Sequence, residues 1–260
     1  VGTRPTSFLA RIGALARLYG ITATPGDQAR VLEIGCAQGG NILPAAALHP
    51  QSHYVGLDLS GIQIKEGQRH ILAAGLTNIS LHQQDFFEYA CEEASFDYII
   101  AHGVFSWMPE ERQPEFLAKV QRALAPHGVA FISHNVLPGW HLRNATRSML
   151  RFHAQSGEER KSPQACREFI SWLAGASEIF EKDVYPLFLR QQREHLDRCP
   201  DPVIVHDLLC EENNALYYRD MARLARENGL QVWADAEVGR SHYDRLPAEV
   251  REHIASLTEE

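Results

Sequence analysis

Between residues 30 and 135 the chain alternates short runs rich in β-branched and aromatic residues with stretches whose apolar positions recur every three or four residues. This rhythm constrains the fold more than any other feature. Neighbouring parallel strands must be joined by a crossover, and a helix supplies one, so repeated strand-helix-strand units predict a parallel sheet covered on both faces. The expected strands are Arg30 to Ile34, Ser52 to Asp58, Ile79 to Gln83, Phe96 to Ala101 and Gly128 to His134. The apolar spacing predicts helices over Asn41 to Leu48, Gly61 to Ala74 and Gln113 to Leu124, with Gly75 and Gly128 as caps or turns. The fold class read from this is α/β, a doubly wound and mostly parallel sheet.

The flanking segments follow other patterns. Phe8, Ile12, Leu15 and Leu18 share one face of a helix expected over Ser7 to Tyr19, which packs on the sheet or lids it. From Arg143 to Asp197 the pattern is helical, with breaks expected at Gly157, Pro163 and Pro186. A further helix over Ala215 to Glu227, then Asn228 and Gly229, leads into an expected sixth strand from Leu230 to Val238. Three regions result: a core with its N-terminal helix at 1–142, a helical insertion or lid at 143–205, and a final helix and strand at 206–260.

Composition narrows the function classes. With 45% apolar and 22% charged residues the chain is of the globular kind, and no apolar run reaches the roughly 20 residues that span a bilayer. Arg4, Arg11 and Arg17 break any secretory signal core. A formal charge of −8 opposes a polyanionic partner, so nucleic acid is disfavoured. Five cysteines without a CxxC pair read as reduced thiols, which makes the expected compartment cytoplasmic. His195, Cys199, His206 and Cys210 form two H-x-x-x-C pairs, but Pro200 and Pro202 intervene and the spacing is no standard zinc pattern, so no metal is expected.

The chemistry gathers at the expected strand ends. Val31-Leu32-Glu33-Ile34-Gly35-Cys36-Ala37-Gln38-Gly39-Gly40-Asn41 ends a strand in small residues that open a helix, so backbone N–H groups can approach a ligand closely. Read through Gly35, Ala37 and Gly40 it approximates a dinucleotide fingerprint. Read through Glu33, Gly35, Ala37 and Gly39 it resembles the first motif of the class I S-adenosylmethionine-dependent methyltransferases. Asp58 ends the next strand about 20 residues on, the offset at which a carboxylate can accept both ribose hydroxyls. The third strand ends in Asp85-Phe86, an acid and an aromatic suited to an adenine's amino group and ring. Two polar and aromatic loops follow, His102-Gly103-Val104-Phe105-Ser106-Trp107 and His134-Asn135-Val136-Leu137-Pro138-Gly139-Trp140-His141. Ligands of open α/β sheets bind outside the carboxyl ends of the strands, so these loops are expected to face the reactive end of the ligand.

As a set these motifs resemble the class I S-adenosylmethionine-dependent methyltransferases, whose sheet is Rossmann-like. HGVFSW at 102–107, HNVLPGWHLR at 134–143 and the stretch at 206–238 are similar to bacterial methyltransferases that carry a methyltransferase regulatory domain, a group that includes protein-lysine methyltransferases acting on outer-membrane proteins. The resemblance implies S-adenosyl-L-methionine as cofactor and a protein or small molecule as methyl acceptor. It implies that Glu33, Gly35, Cys36, Ala37, Gly39 and Asn41 hold the methionine part, Asp58 and Leu59 the ribose, Asp85 and Phe86 the adenine, and that His102 adjoins the amino-acid end. Ala37 departs from the pattern by replacing the middle glycine, and 206–260 covers only the start of the regulatory region. Phe105, Ser106, Trp107, Asn135 and Trp140 are the expected acceptor pocket, with His102 or His141 as the base. The competing readings are an NAD-dependent oxidoreductase and a non-catalytic module that binds S-adenosylmethionine.

Overall fold

A computed structural model describes residues 5–180, 183–237 and 243–257. They form two compact units, one made of Val1–Phe105, Glu110–His134 and Arg219–Glu260, the other of Ser106–Pro109 and Asn135–Tyr218.

The first unit is built on β1 (Arg30–Ile34), β2 (His53–Asp58), β3 (Ile79–Gln83), β4 (Phe96–Ala101) and β5 (Leu124–Ile132). All neighbours are parallel, in the order β3-β2-β1-β4-β5. The chain therefore leaves β1 toward one edge and returns at β4 toward the other, a doubly wound sheet whose direction switches between β1 and β4. All six residues of β4 are buried, as are Val31 to Ile34 of β1, which is why the central strands carry almost uninterrupted apolar sequence.

Helices α1 (Leu9–Leu18), α2 (Leu43–Leu48), α3 (Gly61–Ala74) and α4 (Gln113–Ala123) flank the sheet. The Ser60 side chain caps α3 and Gly75 ends it in the left-handed conformation at φ +63°. Ile12 and Ala16 of α1, Ile64 of α3 and Val31, Tyr54, Leu81, Tyr98 and Ile100 of the strands share one core. At the amino end of the sheet, Asp97 accepts hydrogen bonds from the Arg30 guanidinium, the Arg30 backbone and Thr24, which leaves the opposite edge for a ligand.

Two expectations are corrected here. β5 begins at Leu124 rather than Gly128 and ends at Ile132 rather than His134, because Leu124 already pairs with Phe96 before a register shift absorbs His127 (φ +63°). Leu230 to Val238 does not supply a sixth strand: residues 230–237 carry no ladder, and Val238 lies outside the described residues. Instead Trp233 packs on Tyr19 with ring centroids 5.2 Å apart, and Arg11 of α1 donates to the Ala236 carbonyl at 2.8 Å.

The second unit holds β6 (Val136–Leu137), α5 (His141–Ala154), α6 (Pro163–Ser177), α7 (Val184–Arg198), the short α8 (Asp201–Val203) running into a π-helical turn at Ile204–Leu209, and β7 (Leu216–Tyr217). Leu150, Cys166, Ile170, Leu196, Ile204 and Leu208 form its core. Pro163 opens α6 beside the Ser162 cap, and Pro186 falls in the first turn of α7, where its missing donor breaks nothing. The helix expected from Ala215 starts at Tyr218 (α9, Tyr218–Glu227), since Leu216 and Tyr217 pair with Val136 and Leu137. The last helix, α10, spans Ala248–Leu257 and, like α9 from Arg219 onward, belongs to the first unit.

Candidate active site

The site begins at the switch between β1 and β4. Gly35 and Cys36 donate their backbone N–H groups to the Leu57 carbonyl at 2.8 and 3.0 Å, so the turn after β1 is bolted to the end of β2. Gly35, Ala37 and Gly39 all have positive φ (+72°, +51° and +78°), and the alternation of handedness turns successive N–H groups toward the edge of the sheet. A Cβ on Gly35 would lie 2.5 Å from Val104 Cγ2, so only glycine lets this turn meet the β4 loop. Gly67 of α3 sits as tightly, with an ideal Cβ 2.6 Å from the Gln38 carbonyl oxygen.

Two carboxylates brace the turn. The Asp58 oxygens accept from Ala37 N–H and Ser60 N–H, each at 2.8 Å. The Asp58 carboxylate thus ties the glycine turn to the start of α3 while remaining partly exposed. Glu33 is 4% exposed. Its Oε1 accepts from Asn41 Nδ2 at 2.9 Å, whereas Oε2 is buried with no hydrogen-bond partner. Burial is the main cause that pushes the Glu33 carboxyl up to about 8; the Asn41 bond opposes it and nearby Asp58 adds to it. Burial also pushes the Cys36 thiol up, so this sulfur is no nucleophile near neutral pH.

The remaining strand ends align with these. Asp58 is in register with Gln83, and the Gln84 N–H reaches the Asp58 carbonyl at 3.0 Å. Asp85 follows and accepts the Phe87 N–H at 2.9 Å. The Phe86 ring, by contrast, is 4% exposed and packs against Phe116 of α4, with Lys119 Nζ over it at 5.1 Å. The face of Phe86 is therefore covered by the protein itself. Leu59 is exposed. Ile34 pairs with Ala101, which sets His102 beside Gly35; the His102 ring stacks on Phe131 at 5.7 Å, and Gly103 N–H bonds Ser133 Oγ at 2.8 Å. His134 Nε2 is buried without a hydrogen-bond partner, and burial pushes this imidazole down.

The residues expected to form an acceptor pocket are divided. Phe105 is fully buried, with its ring edge to face on Phe116 in the first unit. Ser106, Trp107, Asn135, Trp140 and His141 belong to the second unit. There Ser106 Oγ accepts the Asn135 N–H at 2.8 Å, Trp107 and Trp140 meet edge to face at 6.5 Å, and His141 is exposed at the start of α5. Sequence reasoning missed Arg147: 5% exposed, it donates to the Asp207 and Cys210 carbonyls at 2.7 and 2.8 Å and lies 5.8 Å from the Trp107 ring centre. Its partners are backbone atoms about sixty positions away, which no local motif announces. Among the described residues no group of three or more His, Cys, Asp or Glu is placed to hold a metal.

A family model described as Methyltransferase domain matches residues 31–128. Uncharacterized protein RP028 of Rickettsia prowazekii is 32% identical over 226 residues, 86% of this chain and 89% of that protein. The chain belongs to the class I S-adenosylmethionine-dependent methyltransferases. RP789 of the same organism is 33% identical over 95% of this chain. PKMT2 from Rickettsia typhi superposes with a TM-score of 0.87 and 28% identity over 99% of this chain, and its complex with AdoHcy with 0.85 and 29%. The chain spans 45% of the length of RP789 and 49% of PKMT2. Membership in the methyltransferase family sets aside the oxidoreductase reading of the glycine turn and makes S-adenosyl-L-methionine the cofactor class. The residues present fit that group: the turn admits no side chain at Gly35, and a carboxyl oxygen of Glu33 is buried and unpartnered beside it. No helix among the described residues is long and apolar enough to cross a membrane.

Proposed function

We propose that this methyltransferase domain moves a methyl group to a lysine side chain of a protein. What supports the reading is that the likeness to PKMT2 extends over 99% of the chain, helical unit included, together with the loop sequences at 102–107 and 134–143. S-adenosylmethionine supplies, when bound, an electrophilic methyl on a sulfonium, so the protein's work is positioning, water exclusion and proton handling. Glu33, Asn41 and the Gly35–Gly39 turn hold the amino-acid end, Asp58 and Leu59 the ribose, and Asp85 with the backbone at Phe86 the adenine. An acceptor amine must arrive neutral, which an aromatic surrounding favours by disfavouring the ammonium form. Trp107 and Trp140 supply that surrounding. The imidazole of His102, at the carboxyl end of β4, receives the acceptor's proton, with His141 as the alternative base. Residues 1–142 act as the cofactor-binding core, 143–205 as a helical insertion or lid and 206–260 as the approach to a regulatory region.

The test is labelled methyl transfer. Protein-bound label that survives as methyl-lysine after acid hydrolysis is the expected result; label confined to small molecules overturns the protein acceptor. In calorimetry S-adenosylhomocysteine binds and NAD gives no heat.

A further inference from the structure

The second unit contains a polar cleft of about 500 Å³ that the methyl-transfer reading does not use. One wall is the face of α5 that carries Asn144, Arg147, Ser148 and Arg151, a helical i, i+3, i+4, i+7 stripe. The other is the loop 211–214, which leads from the π-helical turn toward β7. This loop is fastened at several points. Asn214 N–H bonds the Ser106 carbonyl at 2.7 Å, and Asn214 Nδ2 donates to the Met108 carbonyl at 2.7 Å and to Glu212 Oε2 at 2.9 Å. Arg151 donates to the Glu211 carbonyl at 3.2 Å. The walls are thus set before any ligand arrives, which lowers the ordering cost of binding.

The lining chemistry narrows the occupant. Arg147 and Arg151 are balanced by Glu211 and Glu212, so the cleft favours neither a bare anion nor a bare cation. Two of the best donors on Arg147 are already committed to the Asp207 and Cys210 carbonyls, which removes the forked grip a phosphate or carboxylate needs. Asn213 departs from this saturation. Its Oδ1 accepts from Asn135 Nδ2 at 3.2 Å, while its Nδ2 is buried with no hydrogen-bond partner. Buried donors are almost always paired, and the chain supplies no partner for this one. A neutral partner that offers carbonyl oxygens and N–H groups in alternation, to a stripe of amides and hydroxyls, is extended polypeptide main chain.

We propose that the cleft between α5 and the 211–214 loop holds an extended main-chain segment of the acceptor protein. The inference rests on the protein-acceptor reading above and adds a place where acceptor sequence other than the methylated side chain is gripped. Two variants test it. Ser148→Trp fills the cleft from an exposed helix position, and Asn213→Ala removes the unpartnered donor. Each is compared with the parent chain on two probes, a library of dodecapeptides with a central lysine and the single-residue acceptor N-acetyl-lysine methylamide.

With Ser148→Trp the KM for the peptides is expected to rise about tenfold or more with kcat little changed, while turnover of the single-residue acceptor stays at the parent rate. Asn213→Ala moves the same way by a smaller factor. Peptide kinetics that are unchanged in both variants overturn the cleft while leaving lysine methylation intact. A parallel loss on both probes also overturns it, because a general defect explains that. If the parent chain methylates neither probe, the lysine reading itself falls and the cleft proposal with it.

Discussion

The glycine turn of the first unit and the cleft of the second are both ligand-sized features, yet they are made by opposite means. The turn is made of backbone: three consecutive-but-one residues at positive φ, two N–H groups on the Leu57 carbonyl and one on Asp58. The hydrogen bonds that brace it reach only as far as Leu57 and Asp58, although Gly35 also meets Val104 of the β4 loop. The cleft is made of side chains, with Arg147, Asn135 and Asn213 drawn together from segments sixty to eighty positions apart. A feature built from local backbone leaves a local signature in glycines and acids. One built from distant side chains leaves none.

The sharpest way to break this contrast is to remove the side chain on which the second feature depends. Arg147→Ala deletes the charge-assisted hydrogen bonds to the Asp207, Cys210 and Glu211 carbonyls and is expected to destabilise the helical unit by about 3–5 kcal/mol. Chemical denaturation followed by tryptophan fluorescence measures the loss, since Trp107 and Trp140 belong to that unit. Calorimetric affinity for S-adenosylhomocysteine should change little. A collapse of that affinity in protein still folded at the assay temperature would show that the two features are not independent.

Glu33 sharpens the other side. Its carboxyl titrates at about 8 when folded against an ordinary 4.5. The folded protein therefore holds a proton that the unfolded chain releases. This group's contribution is fully present below about pH 4.5 and is lost as pH rises toward 8, with the loss reaching about 3 kcal/mol by pH 7. Glu33→Gln keeps the Asn41 bond and cannot ionise, so its stability should exceed the parent's increasingly from pH 5 to pH 8 and level off above. Denaturation midpoints across that range decide it. A difference that stays flat with pH would mean Glu33 is ionised in the folded protein.

These two residues also show what the sequence made legible. β1 and β4 match their expected bounds because central parallel strands, buried on both faces, must be apolar almost without interruption, and the edge strand β3 matches on its alternating Ile79 and Leu81. Gly35, Ala37, Asp58 and Asp85 were readable because a tight turn and a strand-end acid each require particular residue types. The start of β5 was not, since Pro126 and Gly128 read as a turn and only the pairing of Leu124 with Phe96 makes that stretch a strand. The supposed strand after Gly229 has the right apolar content, but Trp233 spends it on Tyr19. Phe105 shows the same limit: its aromatic character does not say that its ring is fully buried against Phe116.

Asp58→Ala tests the backbone turn directly. The substitution removes the acceptor of two N–H bonds at 2.8 Å along with the proposed ribose ligand. Affinity for S-adenosylhomocysteine should fall about 10- to 100-fold, equivalent to roughly 1.4–2.7 kcal/mol. Asp58→Asn divides the two roles, since it retains one acceptor oxygen for Ala37 N–H or Ser60 N–H but loses the charge. An affinity near the parent's in Asp58→Ala would remove this residue from the site.

The smallest expected effect separates a local device from a functional one within the helical unit. Ser162 caps α6, its hydroxyl accepting the Ala165 N–H at 3.2 Å ahead of Pro163 in the first turn. Ser162→Ala leaves that donor to water and should cost about 1 kcal/mol. The rest of α6 is held by Cys166 and Ile170 in the core, so the helix itself survives. Because the cap touches neither the cleft nor the turn, binding of S-adenosylhomocysteine and peptide kinetics should both match the parent while the denaturation midpoint drops. If peptide KM moved with Ser162→Ala as it is expected to move with Ser148→Trp, the cleft effect would reflect general loosening of the helices rather than occupation of a site.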